Sequence, residues 1–329
     1  MLKFWHHKYN LQPVGALGAL ASEKPREGAL LKIQWPDKKV GYADLFPWPE
    51  LGDLVLEAQL EELSRGRLNY LAEQAIWLAR KDANLRAEKK NAFQGLPKIK
   101  NHFLISDPKL VTDTLVTEIK SMGFSTVKIK LGRNLEEEAT WIDKFMRAQP
   151  FMVRLDLNSK GSPASFENFV SRIGLPVRPR IEYVEDPMPY NHENWMAASK
   201  LLPIALDNEF YKIDWSSMKA PLPFKVVVIK PARQDVKTTV DHVNKFGLKM
   251  VIASSLDHPV GIAHAVFTAG GLKKFYPNTL LDCGCLSLRA YKANDFSTSM
   301  IVQGPFLQDV AGTGIGFDSL FEKIQWTPL

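Results

Sequence analysis

The stretch 126-TVKIKLG-132 reads as a buried strand that carries two lysines. Successive side chains of a strand point to opposite faces, so Lys128 and Lys130 share one face with Thr126. Val127, Ile129 and Leu131 take the other face. Two ammonium groups side by side repel each other, and burial strips their hydration. A strand with that pattern needs a chemical reason for both charges.

Outward from this stretch the same texture recurs. Short apolar runs stand at 102-HFLIS-106, 151-FMVRLDL-157, 180-RIEYVED-186, 202-LPIALDN-208, 225-KVVVIKP-231 and 249-KMVIASS-255. Helix-patterned segments such as 108-PKLVTDTLVTEIKSMG-123 and 235-DVKTTVDHVNKFG-247 lie between them. The repeat of about 22–29 residues is that of strand–helix units in a (β/α) barrel. Seven units are visible, and 279-TLLDCGCLS-287 is a weaker candidate for the eighth. A doubly wound sheet is the competing architecture, but no glycine-rich dinucleotide fingerprint follows the first run. Ahead of the barrel, 29-ALLKIQW-35, the turn 36-PDKK-39 and 40-VGYADLFPW-48 predict a strand pair. Helical periodicity follows over residues 53–64 and 68–90, with Leu68, Leu71, Ala75, Leu78 and Ala79 in one stripe. The Gly- and Pro-bearing 94-QGLPKIKN-101 marks a junction. The expected division is an α+β domain over residues 1–97 and a barrel over 98–317, with the tail 318–329 a candidate to return to the first domain.

The ends of the runs carry the chemistry. Lys130 ends the second run, Asp156 and Asn158 the third, Glu185 the fourth, Asp207 the fifth, Lys230 the sixth, and Ser254 with Ser255 the seventh. A lone Asp at a strand end is ordinarily a helix cap or turn former. Six consecutive polar strand ends are more than capping requires. In a (β/α) barrel, strand C-termini converge on one face where active sites form. Three neighbouring carboxylates repel and resist ionisation unless a cation neutralises them. An all-oxygen set of this kind suits Mg²⁺. A lysine beside other cations has a lowered pKa and serves as a base near neutral pH. Metal and lysine base together equip a site to take a proton α to a carboxylate, the metal stabilising the enediolate.

Composition narrows the classes. The chain has 329 residues, 45% of them apolar, which is ample for a core. Its net charge of +6 comes from 42 basic against 36 acidic residues, with no basic arm or zinc-finger spacing that would suggest nucleic acid. An anionic small molecule suits this surface, and no membrane span is visible. The segment 14-VGALGALAS-22 superficially resembles a signal sequence, but it is short and glycine-broken, and a mobile loop is expected there. The only two cysteines, Cys283 and Cys285, read as simple buried thiols of a protein in a reducing cytoplasm. His6 and His7 are expected at the surface, and His192, His258 and His264 lack metal spacing. Trp48 and its flanking prolines are expected to shape a turn of the cap, a turn that is also a candidate to face the substrate, while Phe210 and Tyr211 are equally compatible with helix packing and pocket wall.

The pattern Lys-x-Lys, Asp-x-Asn, Glu, Asp, Lys on successive barrel strands resembles the enolase superfamily, in its muconate-lactonizing subgroup. The resemblance covers nearly the whole chain and implies a modified TIM barrel under an N-terminal α+β capping domain. Within the subgroup, 25-PREGALLKIQW-35, 42-YADLFPWPELGD-53, 153-VRLDLN-158 and 227-VVIKPAR-233 are most similar to the o-succinylbenzoate synthase family. That family resemblance implies a Mg²⁺-dependent lyase of menaquinone biosynthesis. It implies Asp156, Glu185 and Asp207 as metal ligands and Lys130 as the base that then helps water leave. Lys128 would tune Lys130 or touch the substrate carboxylate. Lys230 would stabilise the enolate and ring from the opposite face by a cation–π contact. Ser254 and Ser255 would hold the succinyl carboxylate, and the loop near 14–22 would close over the substrate. Asn158, Asp186 and Glu209 would support the ligands from outside, with Asp186 turned towards a neighbouring lysine or that outer ring and Glu209 a substitute ligand. The fifth strand departs from the common Asp-Glu pattern, reading Asp207-Asn208-Glu209.

Two other classes compete. An N-acylamino acid racemase or dipeptide epimerase uses one base on each face, which Lys130 and Lys230 would equally supply. A dipeptide epimerase is expected to carry a double-acidic motif late in the barrel, where this chain has Asp282 alone. A non-catalytic binding barrel predicts broken ligands or lysines, and all are intact.

Overall fold

The computed structural model describes residues 2–17 and 24–329. The greater part of the loop at 14–22 therefore lies outside the described residues. The chain begins with an antiparallel sheet of β1 (Lys3–Leu11), β2 (Arg26–Gln34) and β3 (Val40–Leu45). The C-terminal pair Thr327–Pro328 adds to its β1 edge, opposite His6 and Trp5. Helices α1 (Leu56–Ser64) and α2 (Tyr70–Ala87) cover one face. Leu71, Ala75, Leu78 and Ala79 pack there against Ala29, Leu31 and Ile33. The α2 backbone approaches β3 so closely that a Cβ on Gly41 would stand 2.0 Å from the Ala79 carbonyl oxygen. Leu68 does not join this stripe. It precedes the helix, whose N-cap is Asn69 accepting from the Ala72 amide, and it is 47% exposed.

The remainder forms a parallel curled sheet in strictly sequential order. Its strands are β4 (Phe103–Ile105), β5 (Thr126–Lys130), β6 (Met152–Asp156), β7 (Ile181–Glu185), β8 (Ile204–Leu206), β9 (Val226–Ile229) and β10 (Lys249–Ile252). All four residues of β9 are buried, as expected of strands covered on both faces. Helices α3 (Asp113–Ser121), α4 (Leu135–Ala148), α5 (Pro163–Ser171), α6 (His192–Ser199), α7 (Val236–Lys245) and α8 (Pro259–Phe275) follow β4, β5, β6, β7, β9 and β10. After β8 the chain makes a 3-10 turn over Asn208–Lys212 instead.

The eighth position is held by residues 279–285, which are not a regular strand. The Leu281 and Gly284 amides donate to β10 carbonyls at Met250 and Ile252, at 2.9 and 2.8 Å. On the other side the Cys283 amide donates to Lys100, and the His102 amide donates to Cys283, at 2.7 and 2.8 Å. The segment thus bonds to both edges and closes the ring. Gly284 is required there, because a Cβ would stand 2.6 Å from the His102 ring.

One element was not visible in the sequence pattern. His6 and His7 sit in β1, half-buried against Leu31 and Leu30, not on a free surface segment.

Candidate active site

Parallel pairing puts Lys130 opposite Asp156, and Asp156 opposite Glu185. One layer deeper, Lys128, Arg154 and Tyr183 stand in the same register. The alternating strand residues therefore stack inside the barrel, with the ionisable layer at the C-terminal mouth. Nine of the eleven residues singled out in the sequence line one cavity of about 100 Å³, the exceptions being Asp186 and Glu209. By strand order, Lys130 at the end of β5 and Lys230 just after β9 are four positions apart in an eight-membered ring. They face each other across the cavity.

The two lysines of the opening stretch differ sharply. Lys128 Nζ lies 3.0 Å from Asp156 Oδ2 and 2.5 Å from Glu185 Oε1. Burial opposes its charge, but Asp156, Glu185 and Asp207 outweigh burial and hold its pKa well above that of a free lysine. Lys130 Nζ donates to the Leu17 carbonyl oxygen at 2.9 Å. Burial lowers its pKa to about 8, with Asp156 opposing and the charges of Lys128 and Lys230 assisting. Proximity of one lysine to the other is thus a secondary cause, and desolvation the main one.

Lys230 Nζ lies 2.5 Å from Asp207 Oδ2 and 3.1 Å from Asn208 Oδ1. Burial and the neighbouring carboxylates raise the Glu185 pKa, while burial of Asp207 is overcome by Lys230 and Lys128, which lower its pKa. Among the described residues no three carboxylate, histidine or cysteine side chains already stand in the arrangement of a metal centre. Lysine ammonium groups lie against the three carboxylates instead. The donor chemistry still fits a hard divalent cation. Glu185 Oε2 and Asp207 Oδ1 are buried without a hydrogen-bond partner, and Asp156 contributes a third buried carboxylate.

The supporting residues fall into place around this ring. The Asn158 amide donates to Asp156 Oδ1 at 3.1 Å. Asp186 does not reach a lysine. Its two oxygens accept the Asp207 and Asn208 amides at 3.0 and 2.7 Å, fixing the turn that presents Asp207. Glu209 is not placed as a substitute ligand. It accepts from Ser159 Oγ and the Tyr190 amide, both at 2.8 Å, and pairs with Lys212. Ser254 Oγ shares a 2.8 Å bond with Ser287 Oγ, while Ser255 Oγ is buried without a partner. Phe210 packs partly buried on the barrel's core, and Tyr211 donates to the Arg233 carbonyl oxygen.

Trp48 lines the cavity, so the cap turn does face it, and its indole donates to the Ser255 carbonyl oxygen at 3.0 Å. Other participants escaped the sequence. Asp53, five residues on, receives both Nη atoms of Arg233 at 2.8 and 3.0 Å in a buried bidentate pair. The N-terminal domain is thereby fastened to the turn that follows Lys230. Beneath the mouth, fully buried Arg154 bonds to Glu182, to His102 Nδ1 and to the Asp282 carbonyl oxygen, at 2.6, 2.8 and 2.6 Å. Since Arg can only donate, His102 Nδ1 accepts. Burial first, then the Arg154 and Lys128 charges, keep that imidazole neutral. The one available signal was period 2, which sets Arg154 on the same face as Asp156.

Comparisons with known proteins bear on the family and the fold. The family model described as "O-succinylbenzoate synthase, N-terminal domain" matches residues 4–85. The o-succinylbenzoate synthase of Bdellovibrio bacteriovorus is 46% identical over 329 residues, covering 100% of this chain and 99% of that protein. A dipeptide epimerase from Enterococcus faecalis, solved with Mg and the dipeptide L-Leu-L-Tyr, superposes with a TM-score of 0.77 at 16% identity, covering 95% of this chain and 98% of its own. An enolase-superfamily member from Roseovarius nubinhibens complexed with magnesium gives a TM-score of 0.72 at 15% identity, covering 96% and 95%. At such identities the two structures speak for the fold alone.

Proposed function

The chain belongs to the o-succinylbenzoate synthase family of the enolase superfamily, and from that premise we propose that it is a Mg²⁺-dependent lyase. It dehydrates 2-succinyl-6-hydroxy-2,4-cyclohexadiene-1-carboxylate to o-succinylbenzoate, with syn stereochemistry, in menaquinone biosynthesis. The observation that carries this is one cavity with Lys130 and Lys230 on opposite walls and Asp156, Glu185 and Asp207 between them. Residues 1–97 with the tail 318–329 serve as cap, and residues 98–317 as catalytic barrel. No described helix is long and apolar enough to cross a membrane, and the enzyme works in the cytoplasm.

Asp156, Glu185 and Asp207 would hold the Mg²⁺, which when bound neutralises charge developing on the substrate carboxylate. Lys130 in its neutral form takes the proton from the ring carbon bearing the carboxylate. The same nitrogen then returns a proton to the departing hydroxyl, so both bonds break on one face. Lys230 presents its ammonium to the other face of the ring, where charge accumulates. Lys128, bonded to Asp156 and Glu185, stays charged, spaces the two carboxylates and orients Lys130. Ser254 and Ser255 hold the succinyl carboxylate.

Asp282 speaks against a dipeptide epimerase. Its carboxylate lies 3.2 Å from Thr126 Oγ1 and 3.5 Å from Lys100 Nζ, at the N-terminal end of β5 and away from the mouth. Among the described residues, the only carboxylate lining the cavity outside the metal set is Glu50, which Arg26 neutralises at 2.6 and 3.0 Å. No described late-barrel acid lines the cavity to meet a substrate ammonium.

The deciding experiment follows diene absorbance with Mg²⁺ and then with excess EDTA. Rapid Mg²⁺-dependent loss is expected, restored by adding Mg²⁺ back. Absence of turnover with Mg²⁺ would transfer the assignment to racemisation, read as α-proton exchange of N-acylamino acids in deuterated solvent. The same assay reads the base. A lysine of pKa about 8 must be neutral to act, so kcat/KM rises with pH and levels off above about 8. A nearby divalent cation moves this limb lower, not higher. A limb near the ordinary lysine value would remove Lys130 as the base.

A further inference from the structure

Beside the catalytic cavity lies a second chamber of about 500 Å³. It fills the seam between β4 and the chain just past the closing segment, at residues 286–290. Phe103, Leu110, Met122, Phe124, Leu288 and Met300 give it a largely apolar wall. Leu17, Leu256, Leu286 and Ser287 line both spaces, so the two are contiguous. Leu17 is the partition at the base itself, since its carbonyl oxygen holds Lys130 Nζ. The Ser254–Ser287 hydroxyl pair is on the same dividing wall. Ser287, bonded to Ser254, also lines the second chamber, so an arm held at Ser254 ends against the wall that the two spaces share.

Size and charge say what the second chamber takes. Organic ligands occupy pockets of about 300–1,000 Å³, and the catalytic cavity of about 100 Å³ falls short of that range. The two spaces joined reach it. The apolar wall suits methylene groups, and the rim carries Arg289. That guanidinium uses Nη2 on Glu118 at 2.7 Å and on Met122 Sδ at 3.7 Å. Its Nε and Nη1 donate to no protein group among the described residues. A flexible arm with a carboxylate at its end matches this lining.

We propose that the seam chamber extends the substrate pocket past Ser287, so that the enzyme also dehydrates 6-hydroxycyclohexadiene carboxylates whose ω-carboxyacyl arm is longer than succinyl, with Arg289 receiving the terminal carboxylate. This rests on the dehydratase assignment. The bonds broken are unchanged: the ring C–H gives its proton to Lys130, the ring C–O releases the hydroxyl, and the electron pair completes the aromatic ring. One water leaves, and no oxidant or reductant is needed.

The stable aromatic products test the chamber without turnover. Binding of 2-(ω-carboxyacyl)benzoates with succinyl, glutaryl, adipoyl and suberoyl arms is measured by calorimetry on the Mg²⁺-loaded full chain. Affinity is expected to hold or rise with arm length, by up to about fourfold per buried methylene. In Arg289→Met the ratio of suberoyl to succinyl affinity should fall about tenfold. Leu110→Trp, at a position 58% exposed and therefore tolerant of substitution, should lower that ratio by filling the chamber. The turnover assay with the corresponding dienes should follow the same order. A steady loss of affinity with every added methylene, or ratios unmoved in both variants, overturns the proposal. Failure of the succinyl diene alone to turn over would instead strike the dehydratase assignment, and the calorimetric ratios would still decide the chamber.

Discussion

Lys130→Ala will lower kcat by about 10³–10⁴-fold, a loss of about 4–5 kcal/mol of transition-state stabilisation, and will leave Mg²⁺ binding and thermal stability near those of the unaltered protein. The contrast with Lys128 explains why. Lys130 donates to a backbone carbonyl, that of Leu17, and touches none of the three carboxylates. Removing it takes away a desolvated charge and leaves Asp156, Glu185 and Asp207 with the partners they had. Lys128 is bonded to both Asp156 and Glu185, so Lys128→Ala would strand two buried carboxylates and damage the fold and the site together. Alanine at 130 is thus the clean test of the base. It is read by single-turnover diene loss, with Mg²⁺ titration by calorimetry and a thermal melt as controls. Activity like that of the unaltered protein would remove the base assignment.

The same contrast shows what could be read from the sequence. The mouth residues were legible because each closes an apolar run, and strand alternation then fixes which of them share a face. Lys128 and Lys130 are equivalent by that rule. Only tertiary packing separates them, setting one under the carboxylates and the other against a loop from the cap. Arg154 obeys the same alternation as Asp156 but is surrounded by His102, Glu182 and Asp282 from distant segments. Asp53 and Arg233 are 180 positions apart, and no local pattern pairs them. The closing segment 279–285 is weak in pattern because its place is set by hydrogen bonds to two edges and by the small size of Gly284, not by an alternating run. β1 was hidden for a related reason. Its burial is partial, so aromatic and basic residues mix without a period.

Glu185→Gln should weaken Mg²⁺ activation by at least about 100-fold, since substitutions of groups that merely support a ligand already cost about 10–100-fold. The side chain is nearly isosteric, so packing around a residue only 1% exposed is kept. What changes is charge. Glu185 Oε1 accepts from Lys128 Nζ at 2.5 Å, and Oε2 is buried with no hydrogen-bond partner. The amide removes the negative charge from both places. Lys128 then keeps Asp156 as its one close carboxylate, at 3.0 Å, and the freed ammonium works further against a cation. Two independent effects therefore push the metal affinity down, and excess Mg²⁺ should recover part of the rate. Lys130 stays in place, so the pH limb of the recovered activity should remain at or below about 8. That combination separates a lost ligand from a lost base. A Mg²⁺ activation curve unchanged by the substitution would place the metal elsewhere, and the ring of carboxylates would then be a lysine-paired scaffold instead of a metal centre.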